Sequence, residues 1–401
     1  MGTDKTVETK AFVVVGVDFV TTYTGVAFTH SADPDPTRVT VIVQWPGSGN
    51  QSRPKVPTEI SYGPSGENRW GWQLRAGTPW FGGFKLFLDP EAGSEAYNDE
   101  QLAVTLDPGN PAMESCLRDG KSATDMASDY LRLVHAEVMQ ALAKRFHRTL
   151  DTLKIKFIIT MPAMCRPQDI IEPVTEPEAA ASYALKEVNS VSALSTGGSS
   201  DGSGWQVGKQ VIICDAGGGT MDLVSYSTDQ VTPYLKVSET TRPRGGLCGA
   251  TSLDQRFLNL VKQRLGKQAH LLSGYHGGRG SRLMQLLDSV KTNFGSNDYL
   301  DDEVVEHGIR ELVPIPEHNI DNEYITLSHE DMVSIFNPVV DKVLDLVKDV
   351  SRDATKLEPS KPVAGVILVG GFGESMYLFQ QLMAWCDEQK PPLFICSPKE
   401  P

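Results

Sequence analysis

No two cysteines of this sequence stand in C-x-x-C spacing. The six present, Cys116, Cys165, Cys214, Cys248, Cys386 and Cys396, are scattered, which argues against a zinc framework and fits thiols kept reduced in a cytoplasmic compartment. The eight histidines form no ligand pair. No window approaches the ~18 continuous apolar residues of a membrane span. The polar start Met1-Gly2-Thr3-Asp4-Lys5-Thr6 is no secretion signal and fits the myristoylation pattern only loosely. Positive charge is scarce: 37 Lys and Arg against 51 Asp and Glu leave a net charge of -14. That balance argues against nucleic acid or an anionic membrane as a main partner. Also missing is G-x-x-x-x-G-K-[ST], the mark of P-loop proteins. Gly371-Phe372-Gly373 lacks the further glycine, at Met376, of a dinucleotide fold.

What is there is one pattern used twice. Val13 to Phe19 is an apolar run with Asp18 near its end, followed by Val20-Thr21-Thr22-Tyr23-Thr24-Gly25 and a second apolar run to Phe28. Val211 to Cys214 leads into Asp215-Ala216-Gly217-Gly218-Gly219-Thr220-Met221-Asp222 and another strand. A turn of glycine and hydroxyl residues aims N–H groups and hydroxyls at one point, which suits phosphate. A strand-end carboxylate suits Mg²⁺, usually through water. Two such devices roughly 200 residues apart point to two similar lobes gripping one polyphosphate. At 401 residues, 40% hydrophobic and 22% charged, the chain has the makings of one large core or two domains.

Between the two devices the organisation is readable. Thr40 to Trp45 reads as a strand, and residues 46–120, rich in Gly, Pro and Trp, as a smaller, loop-heavy subdomain. It contains the apolar island Trp80 to Pro90 with one basic residue, Lys85. Met126, Tyr130, Val134, Val138 and Leu142 recur every four residues and predict a helix over 124–147. A strand over Ile155–Thr160 follows, and Glu178–Leu185 reads as helical. The Gly/Ser stretch 195–204 reads as a solvated loop. In the second half, helices are expected near 251–265 and 281–294, with another starting at Asn337-Pro338. Gly245 to Gly249 is expected as a turn and the acidic run Asp298 to Glu306 as a solvated loop. The end reads strand (365–369), Gly-rich turn (370–373), helix (374–387), strand (392–396).

The order of the three glycine-rich elements resembles the nucleotide-binding fold shared by actin, sugar kinases and the heat shock protein 70 chaperones, and is most like the last, in a divergent branch. Gly16-Val17-Asp18-Phe19 with Thr21 to Gly25 is similar to that family's first phosphate loop. Asp215 to Asp222 is similar to its second, Glu176 to Ala181 to its first connecting segment, and Leu368 to Ser375 to its adenosine loop. The likeness covers about residues 11–398. It implies an α/β, two-lobed actin-like ATPase fold with duplicated ribonuclease H-like lobes, mixed sheets flanked by helices. Residues 11–195 would be the first lobe, 196–208 a Gly/Ser loop, and 209–401 the second lobe with the adenosine-binding segment.

The resemblance also implies ATP or ADP with Mg²⁺ as cofactors, slow hydrolysis coupled to lobe closure, and roles for particular residues. Lys85, Glu176 and Asp215 would be catalytic, Lys85 neutralising charge on the γ-phosphate and Glu176 orienting water. Asp18 and Asp215 would hold Mg²⁺ through water. Thr21, Thr22 and Tyr23, then Gly217, Gly218, Gly219 and Thr220, would contact phosphate. Gly245, Gly246, Asp288, Lys291, Gly370, Gly371 and Phe372 would line the nucleoside. A nucleotide-binding scaffold with little turnover and a small-molecule kinase on the same fold stay open as alternatives. As plain protein chemistry, Asp288 and Lys291 read as a solvated i,i+3 pair.

Three departures from the family bear on activity. Val20 stands where the family has Gly, and its side chain is expected to crowd the turn or to force a backbone angle that valine dislikes. The segment 163–175 is short for the helix and strand expected there. The sequence stops at Pro401, where a last helix of the nucleotide domain is expected, and no peptide-binding domain is expected in it.

Overall fold

Val13, Val15, Val17 and Phe19 alternate with more exposed neighbours, the period of a strand with one face on a core. Val211 to Cys214 is buried at every position, the pattern of a strand covered on both faces. These two strands lie at the centres of two sheets in a computed structural model. It describes residues 11–33, 35, 38–63, 67–75, 80–88, 120–161, 174–183, 207–230, 236–272, 276, 281–296 and 302–398. The stretches 89–119, 162–173 and 195–204, with Cys116 and Cys165, lie outside the described residues.

The first sheet contains β1 (Phe12–Phe19), β2 (Tyr23–His30), β3 (Thr40–Val41) and β4 (Lys55–Pro57). A three-stranded sheet of β5 (Glu59–Tyr62), β6 (Asn68–Trp70) and β7 (Phe81–Gly82) comes next in the chain. Helix α1 (Ala123–Phe146) then leads to β8 (Lys154–Met161) and β9 (Val174–Thr175). The order is β3-β2-β1-β8-β9, with β4 also on β2; β1 and β2 are antiparallel, β1 and β8 parallel. Helix α1 starts at a reciprocal cap between Ser122 and Asp125 and buries Met126, Tyr130, Val134, Val138 and Leu142 against the sheet. A short helix, α2 (residues 176–183), follows β9 directly.

The second sheet repeats the scheme. It holds β10 (Gln210–Ala216), β11 (Met221–Gln230), β12 (Lys236–Glu239) and β13 (Arg244–Gly246). Helices α3 (Ala250–Leu265) and α4 (Arg282–Asn293), the hairpin β14 (Asp302–Glu306) and β15 (Tyr324–Ser328), and helix α5 (His329–Leu357) intervene before β16 (Val363–Val369), helix α6 (Met376–Asp387) and β17 (Phe394–Cys396). The order is β12-β11-β10-β16-β17, with β10 antiparallel to β11 and parallel to β16. Antiparallel hairpin plus parallel crossover, twice and in the same order, is the two-lobed actin-like ATPase fold. One face of the second sheet packs on α3, α4, α5 and α6. On the other face, Ala181 of α2 sits with Val211, Ile213, Val224 and Ile367. Helix α2 therefore leaves the first sheet and is anchored on the second.

Four sequence expectations are corrected. The strand at Thr40 ends at Val41, because Ile42 and Trp45 turn into the core and the Trp45 indole donates to the Arg53 carbonyl. The helix at Asn337-Pro338 begins at His329, where Ser328 and Asp331 form a capping box; Pro338 is interior, and the Asn337 side chain accepts from the Tyr377 hydroxyl. The end of the acidic run is not a loop: Asp302–Glu306 pairs with β15, and Val305 is buried. The Gly245–Gly246 turn is strand β13, paired with β11.

Candidate functional site

In open α/β sheets, sites gather beyond the carboxyl ends of parallel strands. Here the ends of β1 and β8 and of β10 and β16 carry Asp18, Thr160, Asp215 and Gly370. The Thr160 hydroxyl donates to Asp18 Oδ1 at 2.8 Å, and Lys55 Nζ lies 3.8 Å from Asp18 Oδ2. Asp215 faces Asp222 across the β10–β11 ladder. Gly370 has φ +83°, and a β-carbon there would stand 2.5 Å from Asp215 Oδ1 and from the Ala216 carbonyl. Only glycine lets this segment lie so close to the aspartate. Next to it Gly371 faces open space, with nothing within 4 Å of a built β-carbon.

The first turn is closed from within. Val20 N–H donates to the Tyr23 carbonyl, while the Thr58 hydroxyl donates to the Val20 carbonyl at 2.8 Å and Thr58 N–H to the Thr22 carbonyl at 2.9 Å. Val20 has no positive φ; among the described residues only His147 and Asn319 do so without being glycine. The expected backbone strain at Val20 is therefore absent, because this turn is closed by hydrogen bonds and needs no left-handed residue there. Tyr23 starts β2 with its ring beside Trp72.

The second turn is held by Gly217 N–H on the Thr220 carbonyl and by helix α3 behind it. Ala250 and Thr251, at the amino end of that helix, donate to the carbonyls of Gly217 and Gly218. Gly249 permits this contact, since a β-carbon would come 2.5 Å from the Gly218 carbonyl. The helix terminus thus satisfies the turn's oxygens. The two turns meet face to face. A β-carbon on Gly218 would collide with the side chain of Thr22, and one on Gly219 would be 2.9 Å from Thr21 Cγ2. Among the described residues no acceptor meets the N–H of Thr21, Thr22, Gly218 or Gly219. Thr21 and Gly219 are buried, and buried N–H groups ordinarily find a partner.

Lys85 and Glu176 form a buried ion pair, and Lys85 also donates to the Phe19 carbonyl. Lys85 rides on a short 3-10 turn over Phe84–Leu88; Glu176 opens α2, whose start is capped by Thr175. Burial pushes the Glu176 carboxyl above its usual range, Lys85 opposes the shift, and Asp18 adds to it. Asp215 is pushed well above the carboxylate range by burial, with Glu176, Asp18 and Asp222 adding repulsion and Lys55 opposing. The site is thus a concentration of negative charge held by two lysines.

Sequence reasoning missed Lys55, Thr58 and Thr160. Each lies on an element whose place beside Asp18 or the first turn is set by sheet pairing, so nothing in local pattern marks them. The other expected residues have these surroundings. Gly245 and Gly246 are ladder partners of Asp222 and Met221, with Gly246 packed toward Leu346 and Cys248. Phe372 is turned into the core of the second lobe, leaving only its backbone for a ligand. Lys291 is no solvated partner of Asp288: it reaches Asp254 of α3 at 2.5 Å and Asp288 at 3.0 Å, tying α4 to α3.

The residues present fit a Mg·nucleotide by donor chemistry: unmet N–H groups on two turns, flanked by Asp18 and Asp215. Among the described residues no three of His, Cys, Asp and Glu close into a metal cage. Since the turns touch, phosphate requires them to part.

No family model matches the sequence. The chain is 23% identical over 471 aligned positions, 94% of its length, to heat shock 70 kDa protein 12A of Homo sapiens. It is 23% identical over 462 positions, 92% of its length, to the Mus musculus protein of the same name. Against heat shock 70 kDa protein 12B of Homo sapiens it is 22% identical over 324 positions, 64% of its length. It spans 66%, 65% and 45% of these relatives respectively, so just under two thirds of the first two.

Proposed function

We propose that this chain, a homologue of the divergent 12A and 12B branch of the heat shock protein 70 family, binds ATP with Mg²⁺ between its two lobes and hydrolyses it slowly, with lobe closure as the output. The observation that carries the reading is the set of four N–H groups that meet no acceptor among the described residues, two on each facing turn. Such donors gain most from an anion. The nucleotide's phosphates are the anion that both turns would share.

In this reading Thr21, Thr22, Gly218 and Gly219 bind phosphate by N–H groups and hydroxyls, with Gly217 and Thr220 shaping the second turn. Tyr23 fixes the end of the first turn. Mg²⁺, held by Asp18 and Asp215 through water, would supply neutralisation of phosphate charge. Lys85 stabilises charge as the terminal phosphate departs, and Glu176 orients water. Lys55 keeps Asp18 placed. Gly370 and Gly371 give the nucleoside room against the backbone. Helix α2 carries Glu176 and rests on the second sheet, so a change in the angle between lobes moves the catalytic carboxylate. Placement of this kind is the main source of rate in phosphoryl transfer. In this reading the protein acts in the cytoplasm; no helix among the described residues is long and apolar enough to cross a membrane.

Direct contact between the turns favours a second reading, a scaffold that binds nucleotide and scarcely turns it over. Calorimetric titration with ATP and ADP, with and without Mg²⁺, tests binding. Single-turnover hydrolysis without an added acceptor then separates the ATPase from the scaffold and from a kinase. No binding of either nucleotide at any Mg²⁺ concentration sinks both the ATPase and the scaffold.

A further inference from the structure

Away from the turns, helices α5 and α6 leave a groove of about 390 Å³ between them. Its α5 side carries Lys348, Arg352 and Lys356, with Ser351 and Thr355 in the same row. Trp385 of α6 and Gln389, just beyond its end, form the other side. The three cations are exposed and Trp385 is half-buried. Three positive charges stand in line here on a protein of net charge -14. A parallel row on α5, Asp345, Asp349 and Asp353, sits beside them. Arg244 takes up Asp353 at 2.6 Å, while Asp349 lies 2.9 Å from Arg352 and 3.5 Å from Arg244, and Asp345 lies 3.6 Å from Lys348; the two pairs within the basic row are exposed i,i+3 pairs of small worth. Lys356 has no ion-pair partner among the described residues.

We propose that this groove docks a short, extended acidic peptide segment of a partner protein. The spacing selects for it. Positions four apart on a helix advance about 6 Å; alternate residues of an extended chain advance about 6.6–6.8 Å. Carboxylates at every second position therefore meet Lys348, Arg352 and Lys356 in turn, and an apolar side chain between them lies on Trp385. A single phosphate group is the wrong shape, because the cations stand in a row and do not converge. A long polyanion is also disfavoured: beyond the row it meets Asp345 on α5 and the exposed Asp387 and Glu388 at the end of α6. A flat anionic membrane needs a broad basic face, and this one is a single helical stripe.

The test uses a fluorescein-labelled nonapeptide alternating glutamate with phenylalanine or leucine, followed by anisotropy against the whole chain. Binding in the micromolar range is expected, about tenfold weaker when glutamine replaces glutamate. The double variant Arg352→Glu, Lys356→Glu should lose about tenfold or more toward the acidic peptide and gain binding of the lysine counterpart. If that variant melts early, Arg352→Gln with Lys356→Gln takes its place and must show the same loss. No binding by the parent chain overturns the proposal. So does equal binding of the glutamine peptide, unchanged affinity in the variants, or displacement by single-stranded RNA or anionic vesicles that bind more tightly through the same residues.

Discussion

Thr22 of the first turn fills the space into which a side chain on Gly218 of the second would project; Thr22 Cγ2 is 2.6 Å from where that β-carbon would be. The closeness of the lobes at this point rests on a glycine facing a threonine. Gly218→Ala should force the turns apart and lower stability by about 1–3 kcal/mol, the usual cost of overpacking. Thr22→Ala in the same chain should restore most of it. Denaturant titration of the two single variants and the double gives the coupling, and additive effects would mean that the turns do not touch.

Asp215 is a charge held at a cost. Its folded pKa is raised above the unfolded value, so the folded state binds the proton more tightly. Its contribution to stability is then best at low pH and declines as pH rises from about 4 through the raised folded value. Asp215→Asn should raise the melting temperature of the nucleotide-free protein near neutrality and flatten its fall with pH. The same variant should weaken Mg·ATP binding by about 1–3 kcal/mol. Melting curves across pH, set beside calorimetry at matched Mg²⁺, check both halves.

Lys85 and Glu176 are tied by burial. Removing the lysine leaves a buried carboxylate alone, which costs about 3–5 kcal/mol. Glu176 is already raised by burial, so Lys85→Met should be least stable at high pH and regain stability as pH falls toward the unfolded value, when Glu176 takes a proton. Adding Glu176→Gln should relieve the defect at pH 8. In variants that stay folded, loss of Lys85 is expected to reduce turnover far more than ATP affinity. A variant that loses affinity and keeps its turnover number would make Lys85 a binding residue only.

Thr58 clamps the first turn through both its hydroxyl and its N–H. Thr58→Val keeps the shape and removes the hydroxyl, leaving the half-buried Val20 carbonyl without that donor. A loss of about 1–3 kcal/mol is expected, together with weaker ATP binding. An unchanged melting temperature would show that the clamp is dispensable.

Val20→Gly separates two causes of slow turnover. Val20 carries no positive φ, so glycine relieves no strain. A loss of about 0.5–1 kcal/mol is expected from added backbone freedom, with the single-turnover rate unchanged. A rate increase of about tenfold or more would instead make the valine side chain the obstacle.

The sequence by itself determined the repeated strand–Asp–turn–strand units, because a strand's burial period and a turn's need for small residues are written locally. It also determined the helical runs near 124–147, 251–265, 281–294 and 374–387, and the strand ends bearing Asp18 and Asp215. The start of α5 rests on the capping box of Ser328 and Asp331, whereas Asn337-Pro338 only imitates a helix start, and packing against Tyr377 fixes those residues as interior. Tertiary structure alone decided that Lys55, Thr58 and Thr160 join Asp18 and the first turn, since sheet register brings together residues far apart in the chain. It alone decided that Phe372 turns inward and that Lys291 belongs to Asp254. The meeting of Thr22 with Gly218 was equally beyond local pattern: it depends on how two separately folded sheets are set against each other, and α2, rooted at the first and packed on the second, is the element that couples them.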